Sequence, residues 1–137
     1  EAGLGGEWRA WISDGATWPS AWTERHDGAH SMIKGFVIAD DWADLTDGSV
    51  MYEMSRTELA IEYGDRIETW DYAWTSVQPD GLYGTYRPDY DDDCLGWTYA
   101  GADKSGGVGA IQMNDGMWTA CAEFSCDELN HIYCFEK

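Results

Sequence analysis

Cations are scarce in this chain. Eight lysine and arginine residues stand against 26 aspartate and glutamate residues in 137 positions, a formal charge of −18. Reading nucleic acid by phosphate neutralisation needs a basic footprint, so that class is excluded. Docking by charge onto anionic membranes fails for the same reason. No apolar run approaches the roughly 20 residues a membrane-spanning helix requires, so membrane insertion is not expected. There is no C-x-x-C pair, the knuckle that marks many structural zinc sites. G-x-S-x-G, H-E-x-x-H and phosphate-cradling glycine motifs are all missing. Among so many carboxylates some acid/base pair is inevitable and carries no information, so the chain reads as non-enzymatic. Neither Asn114 nor Asn130 opens a glycosylation sequon. The opening Glu1-Ala2-Gly3-Leu4-Gly5-Gly6 is not a signal peptide, and we expect that a leader or larger precursor was removed.

What is abundant is aromatic. Nine Trp, eight Tyr and three Phe make up 15 % of the residues, and hydrophobic residues reach 44 %. A disordered acidic tail is poor in both, so residues 1–137 are expected to form one folded domain. Four cysteines, Cys94, Cys121, Cys126 and Cys134, lie in the last third. Their even number points to disulfides and an oxidising, extracellular or cell-surface location, with all three connectivities open.

Carboxylates cluster at Asp40-Asp41-Trp42-Ala43-Asp44-Leu45-Thr46-Asp47 and at Asp89-Tyr90-Asp91-Asp92-Asp93. Such clusters either solvate a high-salt surface or supply oxygen ligands to a hard cation. Three adjacent acids repel one another unless a cation or water relieves them. Asp91, Asp92 and Asp93, with Gln78 and Asp80, are therefore the candidate metal ligands, and calcium is the candidate cation.

Short strands are predicted at Glu7–Ser13, at Met32–Ile38 with a break at Gly35, at Ala73–Val77 and at Cys94–Tyr99. Two more are predicted at Met117–Cys121 and Asn130–Phe135. One helical turn with acidic N-terminal capping is expected over Asp40–Leu45. Gln78-Pro79-Asp80-Gly81 reads as a tight turn, and residues 14–31, 78–93 and 101–109 as loop. Residues 49–72 fit either strand or helix. Trp8, Trp11, Trp74, Trp97 and Trp118 have the alternating neighbours of half-buried strand residues and are assigned to the core. His26 and His30 are four apart, but Asp27-Gly28 between them opposes the helix that would put both on one face. His131 is assigned a structural place in the final strand. Many short strands, few helices and long loops describe an α+β or all-β domain.

The ordered set Gly3-Leu4-x-Gly6-x-Trp8-Arg9-Ala10-Trp11-Ile12-Ser13, Val37-x-x-Asp40-x-Trp42-x-x-Leu45-x-x-Gly48-Ser49, Ala73-Trp74-Thr75-Ser76 with Pro79-Asp80-Gly81, Cys94-x-x-Trp97 and Cys126-x7-Cys134 resembles the endostatin-like domains. These include bacterial secreted relatives such as the leptospiral endostatin-like proteins, which bind host matrix and complement components. The resemblance implies an α+β, C-type lectin-like fold: an antiparallel sheet, short flanking helices and a long loop region carrying ligand sites. It implies a Cys94–Cys126 disulfide. The family's N-terminal helix, whose cysteine would pair with Cys134, has no counterpart here, which leaves Cys121–Cys134 as a substitute pair or as thiols. Gln78-Pro79-Asp80 matches the tripeptide with which calcium-dependent C-type lectins present two oxygen ligands across a cis-proline, although their later Trp-Asn-Asp is replaced by Trp118-Thr119-Ala120.

The function expected from these features is an extracellular recognition or adhesion module binding a glycan or protein. Its ligand contacts would come from the loop aromatics Trp18, Trp22, Tyr83, Tyr86 and Tyr90, which otherwise fold down as a local mini-core. The competing readings are a self-assembling structural subunit of a surface assembly or filament, and a calcium-dependent lectin. A negative face selects cationic or neutral partners.

Overall fold

The computed structural model describes residues 5–33, 35–54, 71–84 and 93–136, and the fold within them is mixed α+β with short strands and single-turn helices. In chain order these are β1 (Trp8–Ala10), β2 (His30–Ser31), β3 (Val37–Ala39), α1 (Trp42–Leu45), β4 (Tyr72–Trp74), α2 (Cys94–Trp97), β5 (Ser105–Ala110), β6 (Ala122–Ser125), β7 (His131–Ile132) and β8 (Cys134–Glu136). Two 3₁₀ turns, Pro19–Ala21 and Gly116–Trp118, complete the set. The main sheet runs β6-β5-β4-β7, antiparallel except that β7 is parallel to β4. Two antiparallel pairs, β1 with β8 and β2 with β3, stand apart from it. No helix among the described residues is long and apolar enough to cross a membrane.

Several elements differ from the sequence expectation. Residues 101–109, expected as loop, contain all but the last residue of β5, the buried strand at the centre of the sheet. Its glycines are there because other atoms occupy the places of their side chains. A Cβ on Gly106 would lie 2.9 Å from Cys94 Sγ and 2.9 Å from the Trp74 ring, and one on Gly107 3.0 Å from Ser76 Cα. Glycine in a strand interior marks this kind of close approach. The strand expected at Met32–Ile38 is a hairpin: β2 and β3 flank a turn in which Met32 N–H donates to Phe36 O (2.8 Å) and Gly35 N–H to Met32 O (2.9 Å), with Gly35 at φ +87°.

Cys94–Tyr99 is not a strand either. α2 has positive φ at Cys94, Leu95, Gly96 and Trp97, a single left-handed turn that L-residues adopt only at a cost of about 1–2 kcal/mol each. Tertiary ties hold it. Asp93 caps Gly96 N–H (2.9 Å), Trp97 Nε1 donates to Ser13 O (2.7 Å), and Cys94 is bridged to Cys126. Met117–Cys121 is not a strand: its start lies in the 3₁₀ turn Gly116–Trp118, capped by Asp115, and residues 119–121 follow in no strand. Asn130–Phe135 divides at Tyr133 between two sheets, and its His131 is exposed on β7. The helical turn expected near Asp40 forms as α1, with the Asp41 carboxylate accepting from Asp44 N–H.

The core gathers around Trp11, fully buried and ringed by Trp22, Trp42, Trp118 and Phe135 at centroid distances of 5.1–6.2 Å. Its indole N–H donates to Thr119 Oγ1 (2.7 Å), which donates to Val77 O (3.0 Å), while Thr75 Oγ1 donates to Thr119 O (2.6 Å). Trp8, expected in this core, is exposed, because it lies three residues from the buried Trp11 and an odd step along a strand reaches the opposite face. Trp74 and Trp97 are half-buried, meeting edge-on at 5.5 Å over Gly106 and the disulfide.

The Cys94–Cys126 bridge implied by the resemblance is formed, with Cα atoms 5.7 Å apart. A Cys121–Cys134 bridge is not: both residues are thiols. Cys121 leads into β6, its N–H donating to Val108 O, whereas Cys134 opens β8 opposite Ala10 in a separate sheet. Closing a loop 32 residues apart in sequence restricts the unfolded chain by about 3–4 kcal/mol in the loop-entropy account. Reduction, or paired Cys94→Ser and Cys126→Ser, is therefore expected to lower the melting temperature by roughly 10–15 °C in calorimetry. A drop of only a degree or two would remove the bridge from the stability of this fold.

Candidate ligand-binding surface

The Gln78-Pro79-Asp80-Gly81 turn forms as its residue types dictate. Gly81 N–H donates to Gln78 O (2.9 Å) and Gln78 N–H to Leu82 O (2.9 Å), and Gly81 takes φ +75°. This is a type I turn closed by a glycine bulge, clamped by the Val77–Tyr83 bridge. Ser20 fastens the 3₁₀ turn Pro19–Ala21 to it, through N–H to Gly81 O (2.9 Å) and Oγ to Asp80 O (2.6 Å). Pro79 in turn packs between two further loops. The Cβ position of Gly116 lies 3.1 Å from Pro79 Cγ, that of Gly48 lies 4.0 Å from Pro79 Cβ, and Val50 N–H donates to Asn114 O (2.8 Å). Four loops thus converge at the Gln78–Gly81 turn.

The exposed side chains at this junction are Leu82 (46 %) and Met117 (37 %), with the half-buried Trp18 at the start of the 3₁₀ turn. The same loops carry three exposed aspartates, each next in sequence to one residue of the Gly48–Pro79–Gly116 contact. Asp47, Asp80 and Asp115 repeat one local device: the carboxylate accepts from the backbone N–H two residues on, at Ser49, Leu82 and Met117, each at 3.0 Å. The converging loops thus carry exposed apolar side chains and three exposed carboxylates, each carboxylate engaged by its own turn.

The expected site residues fall in three places. Trp18, Gln78, Asp80 and Tyr83 lie on the converging loops. Trp22 is turned inward, edge-on to Trp11 at 6.2 Å and 5.8 Å from Trp42, with the Arg9 guanidinium 5.5 Å over its ring. Tyr83 and the buried Asp93 meet beside Gly15, whose Cβ position is 3.2 Å from Asp93 Oδ2 and 3.8 Å from the Tyr83 ring. The adjoining loop is stiffened by Asp14, whose carboxylate pKa is lowered by hydrogen bonds from Thr17 and Ala16. Tyr86, Tyr90, Asp91 and Asp92 lie outside the described residues.

Of the proposed metal ligands, Asp80 is engaged by its own turn, Asp93 caps α2, and the Gln78 side chain lies against Gly84. No cis peptide bond occurs among the described residues, so the Gln78–Pro79 bond is trans. No group of three or more His, Cys, Asp or Glu side chains that could hold a metal ion occurs among the described residues.

Leu82, Met117, Ser20 and Asp115 were missed as members of this surface. A local signal existed only for Leu82, an apolar residue directly after the Gln78-Pro79-Asp80-Gly81 turn. The chain matches no family model and no curated protein sequence.

Proposed function

We propose that this chain is a non-enzymatic recognition and adhesion module of the endostatin-like, C-type lectin-like type. It acts outside the cytoplasm and binds a neutral or cationic glycan or protein through the loop surface at the Gln78–Gly81 turn. What supports this reading is the convergence of four loops at the Gln78–Gly81 turn, which carry the exposed Leu82 and Met117 together with the exposed Asp47, Asp80 and Asp115. Exposed apolar side chains supply contact area, and exposed charges set partner choice and on-rate. The Cys94–Cys126 bridge is in keeping with an oxidising compartment.

The test is binding to an array of glycans and matrix proteins, followed by charge removal at the three aspartates. Asparagine keeps the oxygen that caps each turn, so Asp47→Asn, Asp80→Asn and Asp115→Asn together are expected to leave the melting temperature nearly unchanged. Association with a basic ligand is expected to slow roughly tenfold or more at low salt, with a flatter salt dependence. A monomer that binds nothing on the array would sink the proposal. A stable polymer burying Leu82 and Met117 would replace it with the structural subunit. Calcium at Gln78, Asp80 and Asp91–Asp93 would appear as a melting temperature raised by millimolar calcium and restored by chelator; an unchanged value removes the calcium-dependent form of the reading.

A further inference from the structure

His30 is buried, 6 % exposed, at the start of β2 opposite Ala39. Its ring sits 6.3 Å from Trp42 and 5.8 Å from Phe135, with the His26 ring 5.7 Å away. One ring nitrogen hydrogen-bonds to the His26 backbone, while Nε2 is buried with no hydrogen-bond partner among the described residues. A neutral imidazole tolerates that place as a flat aromatic filler. An imidazolium does not, because its second N–H would be a charged donor with nothing to accept it.

The segment leading to His30 is lightly tied. Arg25 lies 4.7 Å over the Trp42 ring and 3.9 Å from Asp27, and Arg9 reaches Glu24 at 3.9 Å, all at exposed or half-exposed side chains. Exposed ion pairs of this kind each hold by at most about 1 kcal/mol. His30 is the buried anchor of residues 23–31. We propose that His30 is an acid-sensitive latch: once protonated it leaves its place between Trp42 and Phe135, freeing residues 23–31 and baring the aromatic face of Trp22 and Trp42.

The charges facing His30 come from its own segment and from α1. Arg25, His26 and Asp27 lie on the segment, and Asp41 caps α1. β3 offers only Ala39, and on β8 Glu136 and Cys134 alternate to the face opposite Phe135. Burial lowers the His30 pKa from its ordinary 6.5 and His26 lowers it further. The His26 backbone hydrogen bond and Asp41 pull it up, without offsetting the burial. The released ring takes a proton near pH 6.5, whereas the latched ring takes one only at lower pH. The latch is therefore at full strength above pH 6.5 and weakens as pH falls from there to the latched value. Across that window the open fraction grows roughly tenfold per pH unit. The device is independent of what the loop surface binds.

Hydrogen exchange of the whole chain, compared at about pH 7.5 and about pH 5 and corrected for intrinsic rates, tests it. The expected result is that protection of the amides in 24–31 falls at least tenfold while the β5 amides keep theirs. His30→Phe is expected to abolish the difference, and His26→Asn to shrink it, because removing that neighbouring charge raises the latched pKa and narrows the window. NMR titration of the wild-type imidazole supplies a readout that needs no variant, so failure of His30→Phe to fold leaves the proposal open to refutation. A His30 that titrates at or above 6.5, or equal loss of protection in 24–31 and β5, overturns it, as does unchanged pH dependence in His30→Phe.

Discussion

Gly109→Ala is expected to destabilise the fold severely, by more than about 3 kcal/mol. A Cβ at Gly109 would stand 2.6 Å from the carbonyl carbon of Trp118 and 2.7 Å from Thr119 Cα, and closer still to the Trp118 carbonyl oxygen. All three are backbone atoms, so no side-chain rotation relieves the overlap. Neither partner is free to retreat. Gly109 is paired with Ala73 in the middle of the sheet, and the Trp118 carbonyl accepts the Tyr133 hydroxyl at 3.0 Å. That hydroxyl stays protonated, since burial raises its pKa far above the ordinary value. Overpacking a core by one methyl costs about 1–3 kcal/mol where neighbours can shift. Here the separation of β5 from the Gly116–Trp118 turn must change, so the cost exceeds about 3 kcal/mol, against a total stability of roughly 5–15. Two controls separate crowding from loss of glycine flexibility. Gly35→Ala enters open space at φ +87° and is expected to cost about 1 kcal/mol. Gly5→Ala meets nothing within 4 Å and is expected to be neutral. Urea midpoints rank the three, and a Gly109→Ala variant as stable as Gly35→Ala would show that this contact is not tight.

The same contact explains why part of the fold was illegible in the sequence. The glycines of 101–109 carry no hydrophobic period, and absence of period reads as loop. What makes β5 a strand is the shape of its surroundings: Trp74, Trp97, the disulfide, Ser76 and the Trp118 carbonyl all press on it. None of these is adjacent in sequence. The left-handed turn at Cys94–Trp97 was hidden for a related reason, because β-like composition says nothing about four positive φ angles held by a distant Cys126 and Ser13. Local chemistry was legible. The Pro-Asp-Gly turn, the Asp41 cap and the buried Trp11 and Trp118 follow from residue type and near neighbours alone. At the candidate surface the turn of Gln78–Gly81 and the loop place of Trp18 could be read. The convergence of the loops that carry Asp47, Asp80 and Asp115 could not, since it depends on segments 30 or more residues apart arriving at one turn.

Trp11→Ala is the second large loss expected, and it tests whether the indole cluster is the core itself or a lining around it. Trp11 is fully buried and is the common neighbour of Trp22, Trp42, Trp118 and Phe135. Truncation removes the largest side chain from their centre, and such changes cost about 3–5 kcal/mol. It also deprives Thr119 Oγ1 of the indole donor at 2.7 Å, in a ladder that joins Val77 and Thr75 to the Gly116–Trp118 turn. The two contributions can be divided. Trp11→Phe keeps most of the ring contact and loses the N–H, so its expected cost is about 1–3 kcal/mol for the buried hydrogen bond plus the smaller ring. Thr119→Val keeps the shape and removes the acceptor, leaving the indole N–H buried without a partner. In a double-mutant cycle, Trp11→Phe with Thr119→Val is expected to cost less than the sum of the single changes, by roughly 1 kcal/mol or more. Strict additivity would mean that the indole–threonine bond contributes nothing and that Trp11 acts through packing alone. Quenching of the remaining tryptophans gives an independent readout. In Trp11→Ala, Trp22 and Trp42 lose the ring they lean on and become accessible to iodide or acrylamide before global unfolding, whereas in Trp11→Phe they stay shielded.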